Sequence, residues 1–215
     1  MILEGKAVVI DQDNVDTDTL YPGAYLNIED PEEMKNYLFE GLDSSLRDQL
    51  GDETVLVVGE NFGSGSSREH VVQGMKAWNI RCVLGKSFAR IFHRNCINLG
   101  LPVIQQADAA DAATPESEIR VDVDGGEVVV DGERFETAAL PPFMQDMLSS
   151  GGLVPWGRER LDGERYLFWL ILRSGTPVRG GSGRCFQGPS LFRPLVPTTP
   201  SRPDSSKGRA SRPCT

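Results

Sequence analysis

Residues 59–70 read GENFGSGSSREH. Their residue types suggest chemistry on an anion. Gly63 and Gly65 let the backbone come close to a bound group. Ahead of them, Thr54–Val58 (TVLVV) has the apolar, β-branched content of a buried strand. Behind them, Val71, Val72, Met75 and Trp78 form one helical stripe, which predicts a helix from about Ser67 to Trp78. The N–H groups that open a helix point outward unpaired and carry partial positive charge. Arg68 adds a planar fork that matches a carboxylate. Together these features describe a site for a carboxylate or a phosphate. A structural reading competes: Ser66-x-x-Glu69 has the spacing of a capping box, in which hydroxyl and carboxylate satisfy free backbone N–H groups. Capping alone leaves Ser67, Arg68 and the glycines without a task. His70, one turn into the helix, is read as structural, and His93, with no chemical partner nearby in sequence, as structural or exposed.

Nucleotide motifs fail. A dinucleotide fingerprint needs a glycine at 68, where Arg stands. Gly85-Lys86-Ser87 ends like a phosphate-binding P-loop, but the first glycine of that motif falls on Ile80.

Elements that could position the segment follow from periodicity. Residues 6–10 (KAVVI) read as a short strand, followed by a long polar loop, DQDNVDTDTLYPGAYLNI. Asp30-Pro31-Glu32-Glu33 opens a helix with an N-cap Asp and Pro at the first helical position. Short strands are expected at 82–84 and 101–104, with a helix over 88–98 ended by Gly100. Alternation around Asp124-Gly125-Gly126 predicts a hairpin over 119–130, and residues 141–149 a last helix before Gly151-Gly152. Strand and helix alternate, so the class is α/β with a small parallel sheet and an added antiparallel hairpin.

The chain has 215 residues, 25% of them charged, with a net charge of −9 that argues against nucleic-acid binding. A break falls near Leu161. Residues 162–215 hold seven of the 14 prolines and nine Lys and Arg against three Asp and Glu, a net +6 that leaves −15 on the first 161 residues. We therefore read residues 1–161 as the folded domain and 162–215 as a low-complexity basic tail, either disordered or a translation artefact. A basic interaction tail is the functional alternative. The longest apolar run, YLFWLIL, has seven residues, whereas a membrane helix needs about 20. The N-terminus lacks the pattern of a signal peptide. The four cysteines, Cys82, Cys96, Cys185 and Cys214, form no C-x-x-C, which suits reduced thiols in the cytoplasm.

In company with two further blocks, GENFGSGSSREH resembles the swivelling domain of the aconitase superfamily, and within it the small subunits of 3-isopropylmalate dehydratases. The first block is Asn14-Val15-Asp16-Thr17-Asp18 with Tyr21-Pro22-Gly23 and Tyr25-Leu26. The second is KSFARIF at 86–92 with Asn95 and Gly100-Leu101-Pro102; Gly151-Gly152-Leu153 closes the match. The resemblance spans residues 1–161. It implies a three-layer β/β/α swivelling domain that closes over a [4Fe–4S] cluster held by a large subunit. It implies a hydro-lyase, active only with that subunit, that isomerises 2-isopropylmalate to 3-isopropylmalate in leucine biosynthesis by dehydration and rehydration. Cluster iron would act as Lewis acid on the hydroxyl. On matching positions, Ser66 would take the carbon-bound proton, Ser67 and Arg68 would bind a substrate carboxylate, and Asp18 would be a further active-site residue.

In the family, the residues just after Tyr-Leu in the first loop sense the substrate's variable group; here the stretch is Tyr25-Leu26-Asn27-Ile28, and the resemblance implies that all four bind substrate. Homoaconitase-type small subunits place an Arg there. Asn27 cannot supply that charge, while Leu26 and Ile28 offer apolar contact, which favours an isopropyl group and is compatible with the smaller dimethylmalate. Ser64 departs from the Cys that relatives commonly carry. Cluster binding in the superfamily takes three cysteines, and only Cys82 and Cys96 fall in the matched region, so this chain is expected to bind no metal itself. The alternative in another class is a non-catalytic carboxylate-binding module on the same fold. The break at Leu161 carries its own prediction: deleting residues 162–215 leaves solubility and subunit pairing unchanged or improved, as read by gel filtration with the large subunit.

Overall fold

The computed structural model describes residues 1–162. Apart from Asp162, the expected tail lies outside the described residues.

A seven-stranded sheet organises the domain, in the order β4-β3-β2-β1-β5-β6-β7. Its strands are β1 (Ile2–Ile10), β2 (Thr54–Val58), β3 (Cys82–Gly85), β4 (Val103–Gln105), β5 (Glu118–Asp122), β6 (Glu127–Val130) and β7 (Glu133–Glu136). The helices are α1 (Thr17–Leu20), α2 (Pro31–Met34), α3 (His70–Ala77), α4 (Arg90–Leu99), α5 (Ala107–Ala112) and α6 (Pro142–Ser149), and residues 153–162 are helical. β1 to β4 pair in parallel, and β5 to β7 add an antiparallel half.

β1 is longer than residues 6–10 because it serves both halves. Lys6 to Ile10 pair in parallel with Thr54 to Val58, while Ile2 to Lys6 pair antiparallel with Asp122 to Glu118. Gly5 sits at this change of partner, and a Cβ there would lie 2.1 Å from the Glu53 carbonyl oxygen.

Both faces of the parallel half are covered, so all five residues of β2 are buried. On one face Val8, Ile10, Leu56, Val58, Val83 and Val103 pack under α3, α4 and α6. On the other, Ala7, Val55, Val57, Leu84 and Ile104 meet Ile119, Val121, Val128 and Val130 of the antiparallel half and the alanines of α5. The antiparallel half therefore curls over the parallel half. Its far end returns to β4: Gln106 Nε2 donates to the Glu136 carbonyl at 2.7 Å, and Thr137 Oγ1 to that of Gln105 at 3.4 Å. Helices, parallel strands and curled antiparallel strands make the three β/β/α layers. Burying a side chain such as Leu56, fully buried here, contributes about 1.5–3 kcal/mol. An exposed ion pair such as Lys6–Glu116 contributes about 0–1 kcal/mol. Burial, not surface charge, holds the layers together.

Local signals are met where they are strong. Asp30 caps α2 by accepting from Glu32 N at 3.0 Å, and Gly100 ends α4 at φ 78°. α2 tightens into a 3₁₀ turn at Lys35–Tyr37. α5 and β7 were not expected; ADAADA has no large apolar stripe, and ERFE has one apolar residue.

Gly63 joins the sheet to the loop that follows. It adopts φ 75°, and a Cβ there would lie 2.2 Å from the ring of buried Phe92. Gly63→Ala is predicted to destabilise by about 2–4 kcal/mol, overpacking and left-handed strain combined. A fall in the urea midpoint at constant slope reads this out.

Candidate functional site

Parallel pairing places Ile10 beside Val58, so the loops leaving β1 and β2 emerge side by side. They then bond to each other. Gly63 N and Ser64 N donate to the Val15 carbonyl at 2.8 and 3.3 Å, and Thr17 N donates to that of Ser64 at 2.8 Å. On the other side Asn61 N donates to Ser87 Oγ at 2.8 Å, and Ala89 N to the Phe62 carbonyl at 2.9 Å. Residues 61–64 are thus clamped between two neighbouring loops. Asp16 caps α1, accepting from Thr19 N at 2.7 Å. That bond holds its carboxyl below the ordinary value, with a smaller contribution from the Arg68 charge.

The capping box at Ser66 and Glu69 is not formed. α3 starts at His70, not near Ser67, and Glu69 occupies the cap position with no side-chain hydrogen bond. Thr17 supplies the competing partner: Ser66 N donates to Thr17 Oγ1 at 3.1 Å, and the two hydroxyl oxygens lie 3.3 Å apart. Ser66 and Ser67 are exposed, and the Ser67 carbonyl accepts from Asn95 Nδ2 at 3.3 Å. The Arg68 guanidinium donates to the Tyr21 carbonyl at 3.0 Å and forms an ion pair with the more exposed Asp18.

Ser66, Ser67 and Arg68 line an open cleft of about 560 Å³ with Leu26, Glu69, His70 and Gln73. Of the four residues expected to sense the substrate, the structure brings only Leu26 to this lining. Tyr25 stacks on Tyr37 at 4.1 Å between centroids, Ile28 packs against the core, and Asn27 is exposed. His70 lies beside the buried Tyr21 ring at 5.5 Å as well as lining the cleft. His93 is half-buried near Phe88, and burial pushes its pKa down. Sequence reasoning gave no role to Thr17 or Asn95. Thr17 stood in a quoted block, but nothing in a polar loop marked it as buried.

Among the described residues, no group of three or more His, Cys, Asp or Glu could hold a metal ion. Cys82 and Cys96 are buried in β3 and α4, where burial pushes the Cys82 thiol up to about 12 and the Cys96 thiol up as well. Cluster ligands are thiolates, so the described residues do not fit a [4Fe–4S] group.

The aconitase C-terminal domain family matches residues 46–109. The 3-isopropylmalate dehydratase small subunit of Thermodesulfovibrio yellowstonii is 40% identical over 154 residues, covering 71% of this chain and 92% of its own. The chain belongs to the 3-isopropylmalate dehydratase small-subunit family. A crystal structure of the 3-isopropylmalate dehydratase of Methanocaldococcus jannaschii superposes with a TM-score of 0.69 at 34% identity, covering 82% of this chain and all of that one. The 2,3-dimethylmalate dehydratase small subunit of Eubacterium barkeri is similar too, 41% identical over 144 residues, 66% of this chain and 88% of its own. In this small-subunit family member, the matched span holds the whole of residues 59–70.

Asp16 ties α1 to the site and titrates. Its lowered carboxyl contributes stability that is present above the ordinary value of 3.8 and lost as pH falls through the lowered one. Asp16→Asn, which keeps the acceptor but not the charge, is predicted to flatten this acid limb of the unfolding midpoint. Asp16→Ala is predicted to cost about 1 kcal/mol at neutral pH.

Proposed function

We propose that this chain is the small subunit of a cytoplasmic hydro-lyase that converts 2-isopropylmalate into 3-isopropylmalate in leucine biosynthesis, together with a large subunit carrying a [4Fe–4S] cluster. One observation carries the reading: in a member of this family, the Ser66 hydroxyl, the Arg68 guanidinium and the apolar Leu26 meet on one open cleft at the start of α3.

Each has a task in the reaction. Ser66, as its alkoxide, takes the proton from the methylene carbon beside a substrate carboxylate. The C–H electron pair becomes the new C=C bond as hydroxide leaves the neighbouring carbon. Hydration in the opposite sense puts the hydroxyl on the former methylene carbon, and Ser66 returns its proton to the other. A serine hydroxyl is a poor base unless its charged form is stabilised. The Arg68 charge on the same cleft supplies positive potential, which counts for more when a partner subunit closes the cleft to water. Ser67 and Arg68 hold a substrate carboxylate, with Asp18 as the carboxylate that Arg68 releases. Leu26 gives the alkyl group an apolar wall.

An anaerobic assay with the large subunit tests this, offering isopropylmalate, homocitrate and dimethylmalate separately. Isopropylmalate is predicted to turn over only when both chains are present. Ser66→Ala is predicted to lower kcat by about 10²–10⁴-fold while the complex still assembles. Turnover of dimethylmalate instead would make the chain a counterpart of the Eubacterium barkeri subunit. A Ser66→Ala complex at full rate would leave a carboxylate-binding module.

A further inference from the structure

We propose that Thr17 is a positioning residue that holds Ser66 at rest and donates a hydrogen bond to its alkoxide; the inference rests on Ser66 being the base. Thr17 is 1% exposed. All three polar atoms of Ser66 lie near its hydroxyl: N at 3.1 Å, the carbonyl oxygen at 3.3 Å and Oγ at 3.3 Å. A hydroxyl has two lone pairs and a single proton. The Ser66 N–H takes one lone pair. While Ser66 is neutral, its own hydroxyl can donate to the other, and the Thr17 proton goes to the Ser66 carbonyl. Once Ser66 has lost its proton, Oγ can only accept. Turning the Thr17 O–H from carbonyl to alkoxide then makes a charge-assisted bond, roughly twice as strong as a neutral one. Only the Thr17 proton need rotate.

The surroundings fix Thr17 for this task. Its backbone N is bonded to the Ser64 carbonyl, and Asp16 immediately before it caps α1. Its β-branched side chain has few rotamers. Gly65, next to Ser66, adopts φ 91°, a left-handed conformation that glycine takes without strain. Thr17 is buried, so water does not take the place of its hydroxyl, while the exposed side of Ser66 is left for substrate.

The test uses the full chain assembled with its large subunit, assayed as above across pH. Thr17→Val keeps the shape and removes the hydroxyl; Thr17→Ser keeps the hydroxyl. Thr17→Val is predicted to lower kcat about a hundredfold with KM little changed. It should also shift the acid limb of kcat to higher pH, because a less stabilised alkoxide forms only at higher pH. Thr17→Ser is predicted to restore both. Thr17→Val added to Ser66→Ala should cost nothing further, since the hydroxyl acts through Ser66. A Thr17→Val enzyme with the wild-type rate and pH profile, beside a crippled Ser66→Ala, overturns this inference and leaves the base assignment standing. Equal loss in Thr17→Ser and Thr17→Val overturns it in favour of a packing role. Full activity of Ser66→Ala overturns both readings together. If Thr17→Val does not assemble, Thr17→Ala against Thr17→Ser gives the same comparison.

Discussion

Parallel pairing of β1 with β2 is the constraint on which the site depends. Parallel strands end at the same edge, so their outgoing loops must leave together. Ile10 beside Val58 sets the register, and a slip of one residue would turn every core side chain of β2 to the wrong face. The loops then satisfy each other's backbone groups through Val15, Thr17, Gly63 and Ser64. Residues 49 apart in sequence, Thr17 and Ser66, come to share a hydrogen-bond network. A pocket on a sheet's carboxyl edge is common in α/β folds. Here the edge is finished by loops that depend on each other.

The antiparallel half matters to this edge without touching the cleft lining. β5 to β7 and α5 cover the second face of the parallel strands, so β2 can be apolar throughout. Without that cover, Val55 and Val57 would face water, and the strands that align the two loops would lose the stabilisation of that burial. β1 joins both functions, changing partner at Gly5 and Lys6. The helix layer on the other face positions α3, whose first turn lines the cleft.

What was legible in the sequence was mostly local. Asp30-Pro31 and Gly100 state their caps within a few residues, and TVLVV reads as a strand buried on both faces. Ser66, Ser67, Arg68 and Leu26 were named from sequence and share one cleft. What failed depended on distant partners. The capping box lost to Thr17, a hydroxyl brought in by the fold, and α3 began at His70 instead. β7 is held by pairing with β6, and α5 buries small alanines, so neither shows a periodic signal. The first half of β1, Ile2 to Gly5, buries little and is held as a strand by its pairing with β5, which local pattern does not show. Tyr25 was expected at the substrate but stacks on Tyr37, an attraction that spacing along the chain cannot reveal.

The pairing of Arg68 with Asp18 means that the cleft's arginine already has a carboxylate partner. A carboxylate bound there as proposed would not meet a bare cation; it would take the place of one already present. On the proposed function, Asp18, the more exposed partner, would give way into water, where a carboxylate is well solvated. Capture would then be an exchange of like for like, with a small change in the net field around the site. Simple monocarboxylates that offer nothing beyond their charge gain little from such a swap. Retention then falls to whatever else a ligand presents to the cleft walls, so shape counts for more than charge in deciding what stays.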